Sequence, residues 1–131
     1  VPGRQVPVYC SSSGLAIMSR LGDAEIDDIL ARSTLDKITP YTVNEPDKIL
    51  KTIQQTRQRG FAITYQQLML REIAVSAPIV DYRGYPIAAV QIPVSPPGWT
   101  LTDARQKLGP LAVETAAAIS GALITSEHPE S

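Results

Sequence analysis

Apolar and polar positions recur in different rhythms in the two halves of the chain. Arg4 to Tyr9 alternates, with Val6 and Val8 on one side, and predicts a short strand. Ser11-Ser12-Ser13-Gly14 then precedes the apolar run Leu15 to Leu21. Serines favour N-caps, so this run predicts a short buried helix, stopped by Gly22. Asp23 caps a second predicted helix, Ala24 to Arg32, with Ile26, Ile29 and Leu30 on one face. Its acids come first and Arg32 last, which suits the helix dipole. Residues 33–45, with Thr39-Pro40-Tyr41-Thr42, read as a loop. The third helix is the clearest: Asn44 or Glu45 caps it, Pro46 fits its first turn, and Ile49, Leu50 and Ile53 form its stripe. Gly60 ends it in a left-handed cap.

From Phe61 the period falls to two. Phe61 to Tyr65 predicts a strand. Ile73 to Tyr82 predicts a longer one, with Ile73, Val75, Ala77 and Ile79 on one face. Tyr82-Arg83-Gly84-Tyr85 is a hairpin turn with Gly84 at positive φ. Pro86 to Val94 returns antiparallel, and Pro93 within it argues for an edge or a bulge. After the loop Ser95-Pro96-Pro97-Gly98, Thr102 or Asp103 caps a final helix that Pro110 kinks or divides. Its second half is apolar through Leu111, Val113, Ala116, Ala117, Ile119 and Leu123. The pattern is that of one α+β domain, an antiparallel sheet with helices packed on one side.

Composition narrows what such a domain can do. With 131 residues the chain is one domain's length, and a net charge of −1 lacks the basic excess of a free-standing nucleic-acid binder. One cysteine rules out an internal disulfide and any multi-cysteine zinc site. The one histidine, His128, lies in a polar tail, which removes His/His metal pairs and leaves no base for a nucleophilic triad. No metal or cofactor is implied. No secretory signal opens the chain, and no apolar run reaches the ~20 residues of a membrane span. The expectation is a cytoplasmic protein without membrane contact. The chain begins at Val1 rather than Met and is read as a fragment.

Candidate chemistry is sparse. Cys10 precedes a helix start, which mildly favours a thiolate, but no base is near; a buried core cysteine is the plainer reading, a redox centre the sharper one. Ser11, Ser12 and Ser13 place hydroxyls at a helix start, where they cap the helix or receive an anion. Arg71-Glu72 is a surface pair unless it turns inward, where Arg71 could hold a carboxylate. Gln91 is a polar residue in an apolar strand, facing either solvent or a ligand. Asp81 to Gly84 is turn chemistry, and Trp99 packs over a loop end or anchors a partner.

Several segments, in order, resemble the C-terminal effector-binding domain of IclR-type bacterial transcription regulators. They are Val6-Pro7-Val8-Tyr9-Cys10-Ser11-Ser12-Ser13-Gly14, Ile38-Thr39-Pro40-Tyr41-Thr42, and Ile53 to Ala62. Ile73-Ala74-Val75-Ser76-Ala77-Pro78-Ile79, Gly84 to Val90, and Ala116 to Ser120 follow. The likeness covers residues 4–123. Tyr9-Cys10-Ser11-Ser12 is most similar to the subgroup that governs aromatic-acid breakdown through the β-ketoadipate route.

The resemblance implies a GAF-like α+β fold, a curved antiparallel sheet with flanking helices. It implies that residues 1–131 form an effector-binding and oligomerisation domain, with an upstream winged helix-turn-helix domain that this chain lacks. It implies a small-molecule effector, a homodimer or tetramer, and DNA contact only through the missing domain. Family pocket positions fall on Val6, Ser12, Ser13, Thr64, Glu72, Ala74, Gln91 and Pro93. The chain departs from the family at Thr64-Tyr65-Gln66-Gln67, where an acidic pair is common. It departs again at Arg71 (usually Gly), at Ile73 (usually Arg), and at Gln91 and Pro93 (usually Ser). Fewer carboxylates and a nearby Arg71 suit a small organic carboxylate; that it is aromatic-derived is what the resemblance alone implies. No catalysis is expected. The alternatives are an oligomerisation domain without a ligand and a Cys10-dependent redox enzyme.

Overall fold

The computed structural model describes residues 8–127. The expected first strand, Arg4 to Tyr9, falls largely outside them; Val8, Tyr9 and Cys10 form a turn. Helix α1 spans Ser12–Met18, one turn earlier than the apolar run suggests. Ser11 is its N-cap, with Oγ accepting the Gly14 N–H at 3.0 Å. That bond satisfies an otherwise orphan donor and lets Ser12 and Ser13 form the first turn. Beyond Met18 the chain tightens through Arg20 and Leu21, each N–H reaching back three residues. Arg57 closes this end: Nε donates to the Ser19 carbonyl at 2.9 Å and Nη2 to that of Leu21 at 3.0 Å.

Helix α2 spans Asp23–Arg32, with Gly22 rather than Asp23 at the cap. Helix α3 spans Pro46–Arg59, capped by Glu45, and Gly60 closes it at φ 91°. Leu15, Ala16 and Met18 of α1, Ile26 and Leu30 of α2, and Ile49 and Ile53 of α3 bury one core with Tyr9 and Cys10.

Strands β1 (Ala62–Tyr65), β2 (Ile73–Val80) and β3 (Pro86–Val94) form an antiparallel sheet in that order. Strand β2 stops at Val80 rather than Tyr82, because Asp81 turns the chain. Its Oδ1 accepts the N–H of Arg83 at 2.9 Å and of Tyr85 at 3.0 Å, and Gly84 sits at φ 82°. Pro93 lies on the edge strand β3, opposite Ala74, and the register irregularity falls elsewhere, at Ile79/Val80.

Helices cover both faces of this sheet, not one. Ile73, Val75, Ala77 and Ile79 pack with Phe61, Leu108, Ala112 and Ala116 in a second core. Ala74 and Ser76, on the opposite face of β2, are buried beneath α1. Helices expected on one side of the sheet alone would leave this face without a helical cover. In the fold the short side chains of Ala74 and Ser76 let a helix approach closely.

The C-terminal helix runs without a break through α4 (Leu101–Asp103), a π-helical turn (Ala104–Leu108) and α5 (Gly109–Glu127). Thr100, not Thr102 or Asp103, caps it, with Oγ1 accepting the Asp103 N–H at 3.0 Å. Pro110 does not divide the helix. The turn before it widens, with the Gly109 N–H reaching Ala104 five residues back. A wide turn relieves the clash between a proline ring and the preceding turn. This helix also corrects the view that no apolar stretch is span-length. Leu101–Thr125 has a mean hydropathy of 1.4 over its most apolar window, with 28% of that window buried. Glu114 is the only charge between Leu108 and Thr125. Its inner face packs on the sheet through Ala104, Leu108, Ala112 and Ala116.

Candidate functional site

A cavity of about 460 Å³ opens between α1, the sheet face beneath it, and the β1–β2 connection. That volume lies within the ~300–1,000 Å³ of small-molecule pockets. Six of the residues singled out from the sequence line it: Ser12, Ser13, Thr64, Glu72, Ala74 and Gln91. Strand register explains why residues far apart in sequence share one wall. Thr64, Ala74 and Pro93 form one cross-strand row, and Ala62, Ser76 and Gln91 the next. Directly opposed residues in a sheet point to the same face.

Two of the proposed positions lie elsewhere, and a third is undescribed. Pro93 shares the row of Thr64 and Ala74 but borders a separate depression with Arg71. Arg71 is exposed, and its guanidinium donates to the Pro96 carbonyl at 3.3 Å. It therefore brings no cation to the cavity. Val6 lies outside the described residues. Among the described lining residues Glu72 carries the only charge. Arg71 also takes φ 64°, the left-handed region that glycine adopts freely, and so does Gln66 at φ 60°.

The α1 wall is held by a chain of side-chain hydrogen bonds. Ser12 Oγ lies 2.6 Å from Ser76 Oγ, Ser76 Oγ lies 3.3 Å from Ser13 Oγ, and Ser13 Oγ donates to Gln91 Oε1 at 2.7 Å. Ser76 is fully buried behind the wall. Thr64 differs from these residues: it is 6% exposed, lines the cavity, and its hydroxyl has no hydrogen-bond partner among the described residues.

The opposite wall, Leu68 and Met69, comes from the β1–β2 connection. Loop 33–45 props it. The Thr39 hydroxyl donates to the Gln66 carbonyl, Thr42 Oγ1 donates to the Gln67 carbonyl at 2.6 Å, and the Val43 N–H donates to Gln67 Oε1 at 3.1 Å. Sequence reasoning singled out Ser11 with Ser12 and Ser13, which also lines the cavity, but missed Val8, Gly14, Ile17, Leu68 and Met69 as lining residues, and Ser76 behind them. Nothing local signalled those six.

Cys10 is wholly buried in the first core, and burial pushes its thiol up to about 11. A neutral, shielded thiol does not meet the needs of a nucleophile or redox centre. Among the described residues no cluster of His, Cys, Asp or Glu could hold a metal ion.

The family described as "Bacterial transcriptional regulator IclR C-terminal" matches residues 2–121. The Pca regulon regulatory protein of Pseudomonas putida is 31% identical over 111 residues, covering 83% of this chain and 38% of that protein. The HTH-type transcriptional repressor AllR of Escherichia coli K12 is 30% identical over 128 residues, covering 97% of this chain and 46% of that protein. The chain thus spans less than half the length of these two curated relatives. Among solved structures, the IclR of Thermotoga maritima superposes with a TM-score of 0.85 at 27% identity, covering 93% of this chain and 49% of that one. These relatives are transcriptional regulators rather than enzymes. With the family matched over nearly its whole length and the same fold in a solved regulator, this chain belongs to the IclR C-terminal family of bacterial transcriptional regulators.

Proposed function

We propose that the cavity binds a small organic effector, and that the whole chain, 1–131, is the effector-binding and oligomerisation domain of a cytoplasmic regulator. The observation that carries this reading is Thr64. The residue is 6% exposed and its hydroxyl makes no hydrogen bond among the described residues, yet no buried side-chain oxygen there is left unsatisfied, so that hydroxyl keeps its access through the cavity and is placed to meet a ligand. Here it faces a cavity of ligand size. The ligand class is a small organic carboxylate, for which the serines at the start of α1 speak, and it is aromatic-derived as the resemblance implies. Its polar end meets the α1 wall at the Ser12 hydroxyl, and its apolar body meets Leu68 and Met69.

Effector binding acts through differential affinity for two conformations of a homodimer or tetramer. DNA contact belongs to a winged helix-turn-helix domain upstream of Val1. The test is a thermal-shift screen of this domain with benzoate, short-chain carboxylates and their neutral amides. Stabilisation by a carboxylate that is lost in the Ser12→Ala/Ser13→Ala double variant is the expected result. No shift with any probe would leave an oligomerisation domain with an idle cavity. Sedimentation of the intact regulator, with and without the hit, reads the oligomeric part.

A further inference from the structure

We propose that Gln91 sets the hydrogen-bond polarity of the α1 wall, and so decides whether that wall offers a ligand protons or lone pairs. This inference rests on the reading of the cavity as a ligand pocket.

Each serine hydroxyl has one proton to donate. Ser13 commits its proton to Gln91 Oε1 at 2.7 Å. The contact between Ser76 and Ser13, at 3.3 Å, can then only run from Ser76 to Ser13. With the Ser76 proton committed there, the 2.6 Å contact with Ser12 can only run from Ser12 to Ser76. One arrangement satisfies all three contacts: Ser12 to Ser76 to Ser13 to Gln91. All three serine protons are committed within the chain, and these hydroxyls offer only lone pairs beyond it. Nearby, Glu72 is likewise an acceptor when ionised. At its serine end the wall so arranged receives a donor and repels a bare acceptor, and the protons left over, on Gln91 Nε2, lie at the exposed end of the chain.

A half-turn of the Gln91 amide exchanges its oxygen and nitrogen with little movement of heavy atoms. Nε2 then donates to Ser13, Ser13 to Ser76, and Ser76 to Ser12. The Ser12 proton is released toward the cavity, where it can meet a carboxylate or a carbonyl. The same four side chains serve both polarities because each is both donor and acceptor. Ser76 is fully buried whereas Gln91 is exposed, so the rotation takes place at the solvent end of the chain. A serine at position 91 is too short to reach as this amide does. A carboxylate there accepts only, and an ammonium there donates only.

Two neutral probes separate these polarities without a long-range charge effect. Acetophenone only accepts, whereas phenol can donate. Isothermal titration of the wild-type domain, Gln91→Glu and Gln91→Lys is the experiment, with thermal unfolding as the check that each variant folds. The wild-type domain is expected to bind both probes. Gln91→Glu is expected to lose acetophenone by about tenfold relative to phenol, the scale of one lost hydrogen bond. Gln91→Lys is expected to hold acetophenone at least as tightly as the wild type. An unchanged ratio in Gln91→Glu overturns the polarity role alone. Failure of every probe to bind the wild-type domain overturns the pocket reading and this inference with it.

Discussion

Ser76 on the central strand lies 2.6 Å from Ser12 on α1, joining the two elements that frame the cavity across 64 positions of sequence. Both residues are buried, and this bond lies on the face of β2 opposite Ile73, Val75, Ala77 and Ile79. It pairs the polar start of a short helix with the sheet beneath it, while Leu15, Ala16 and Met18 anchor the same helix in the first core. Ser76→Ala is therefore expected to destabilise the domain by about 1–3 kcal/mol, the cost of an orphaned buried hydroxyl. Urea unfolding measures it. A double variant with Ser12→Ala should cost less than the sum of the single changes, since the second change removes the orphan. Strict additivity would show that the two hydroxyls do not act as a pair.

Arg71 offers the opposite sign. Its φ of 64° is a conformation that L residues occupy at a cost of ~1–2 kcal/mol, and its one side-chain bond, to the Pro96 carbonyl, is exposed. Arg71→Gly is expected to leave stability unchanged or to raise it by up to about 1 kcal/mol, with the cavity intact. A clear loss in urea unfolding would mean that the Pro96 contact matters more than backbone strain.

Gly109 is small for a reason of space, not of backbone angle. A Cβ there would lie 2.5 Å from Phe61 Cζ and 2.6 Å from Cε1, inside the second core. Gly109→Ala normally favours a helix, yet here it is expected to cost about 1–3 kcal/mol through overpacking. Gly121, where a Cβ would meet nothing within 4 Å, is the internal control: Gly121→Ala should stabilise. A stabilising effect at both positions would contradict the packing described.

Cys10 predicts an alkaline signature. Burial raises its thiol from the ordinary 9.0 to about 11 in the folded state. The folded protein therefore holds this proton more tightly than the unfolded chain. The associated stability is complete below pH 9.0 and is lost as pH rises through about 11. Tyr9 is raised as well, first by burial and then by the nearby Cys10 and Asp36 charges, and adds to the same trend. Urea midpoints measured between pH 8 and 11 should fall, and fall less in Cys10→Ala once its lower baseline is subtracted. At neutral pH the native thiol should resist alkylation until the domain unfolds. Fast labelling of the folded protein would contradict its burial.

Local rules were sufficient for most elements. The third helix shows why: Pro46 at its start, Gly60 at its end and Ile49 and Ile53 between are signals carried within one short stretch of chain, and the structure places the helix at Pro46–Arg59. The Asp81–Tyr85 turn and the Pro86 return are local in the same way. The serine run marked the α1 cap because capping is a bond between neighbours, Ser11 and Gly14. The α+β class and the family resemblance followed from the order of such segments.

The covering of both sheet faces could not be read that way. Helices on one side of the sheet alone would leave Ala74 and Ser76 without a helical cover, and only the close seating of α1 makes them interior. The caps at Gly22 and Thr100 lie one to three residues from the expected positions, since several neighbours could serve and packing chose among them. The cavity lies further still from local signals. Thr64, Ala74, Ser76 and Gln91 meet through strand register, and Thr39 and Thr42 reach its far wall through a loop that carries no periodicity. Arg71, adjacent in sequence to Glu72, turns to a different surface because its backbone lies in the left-handed region. Spacing along the chain sets hydrogen bonds between neighbours and the faces of helices and strands. Which faces meet, and which polar groups pair between them, depends on contacts across dozens of residues that only the folded chain brings together.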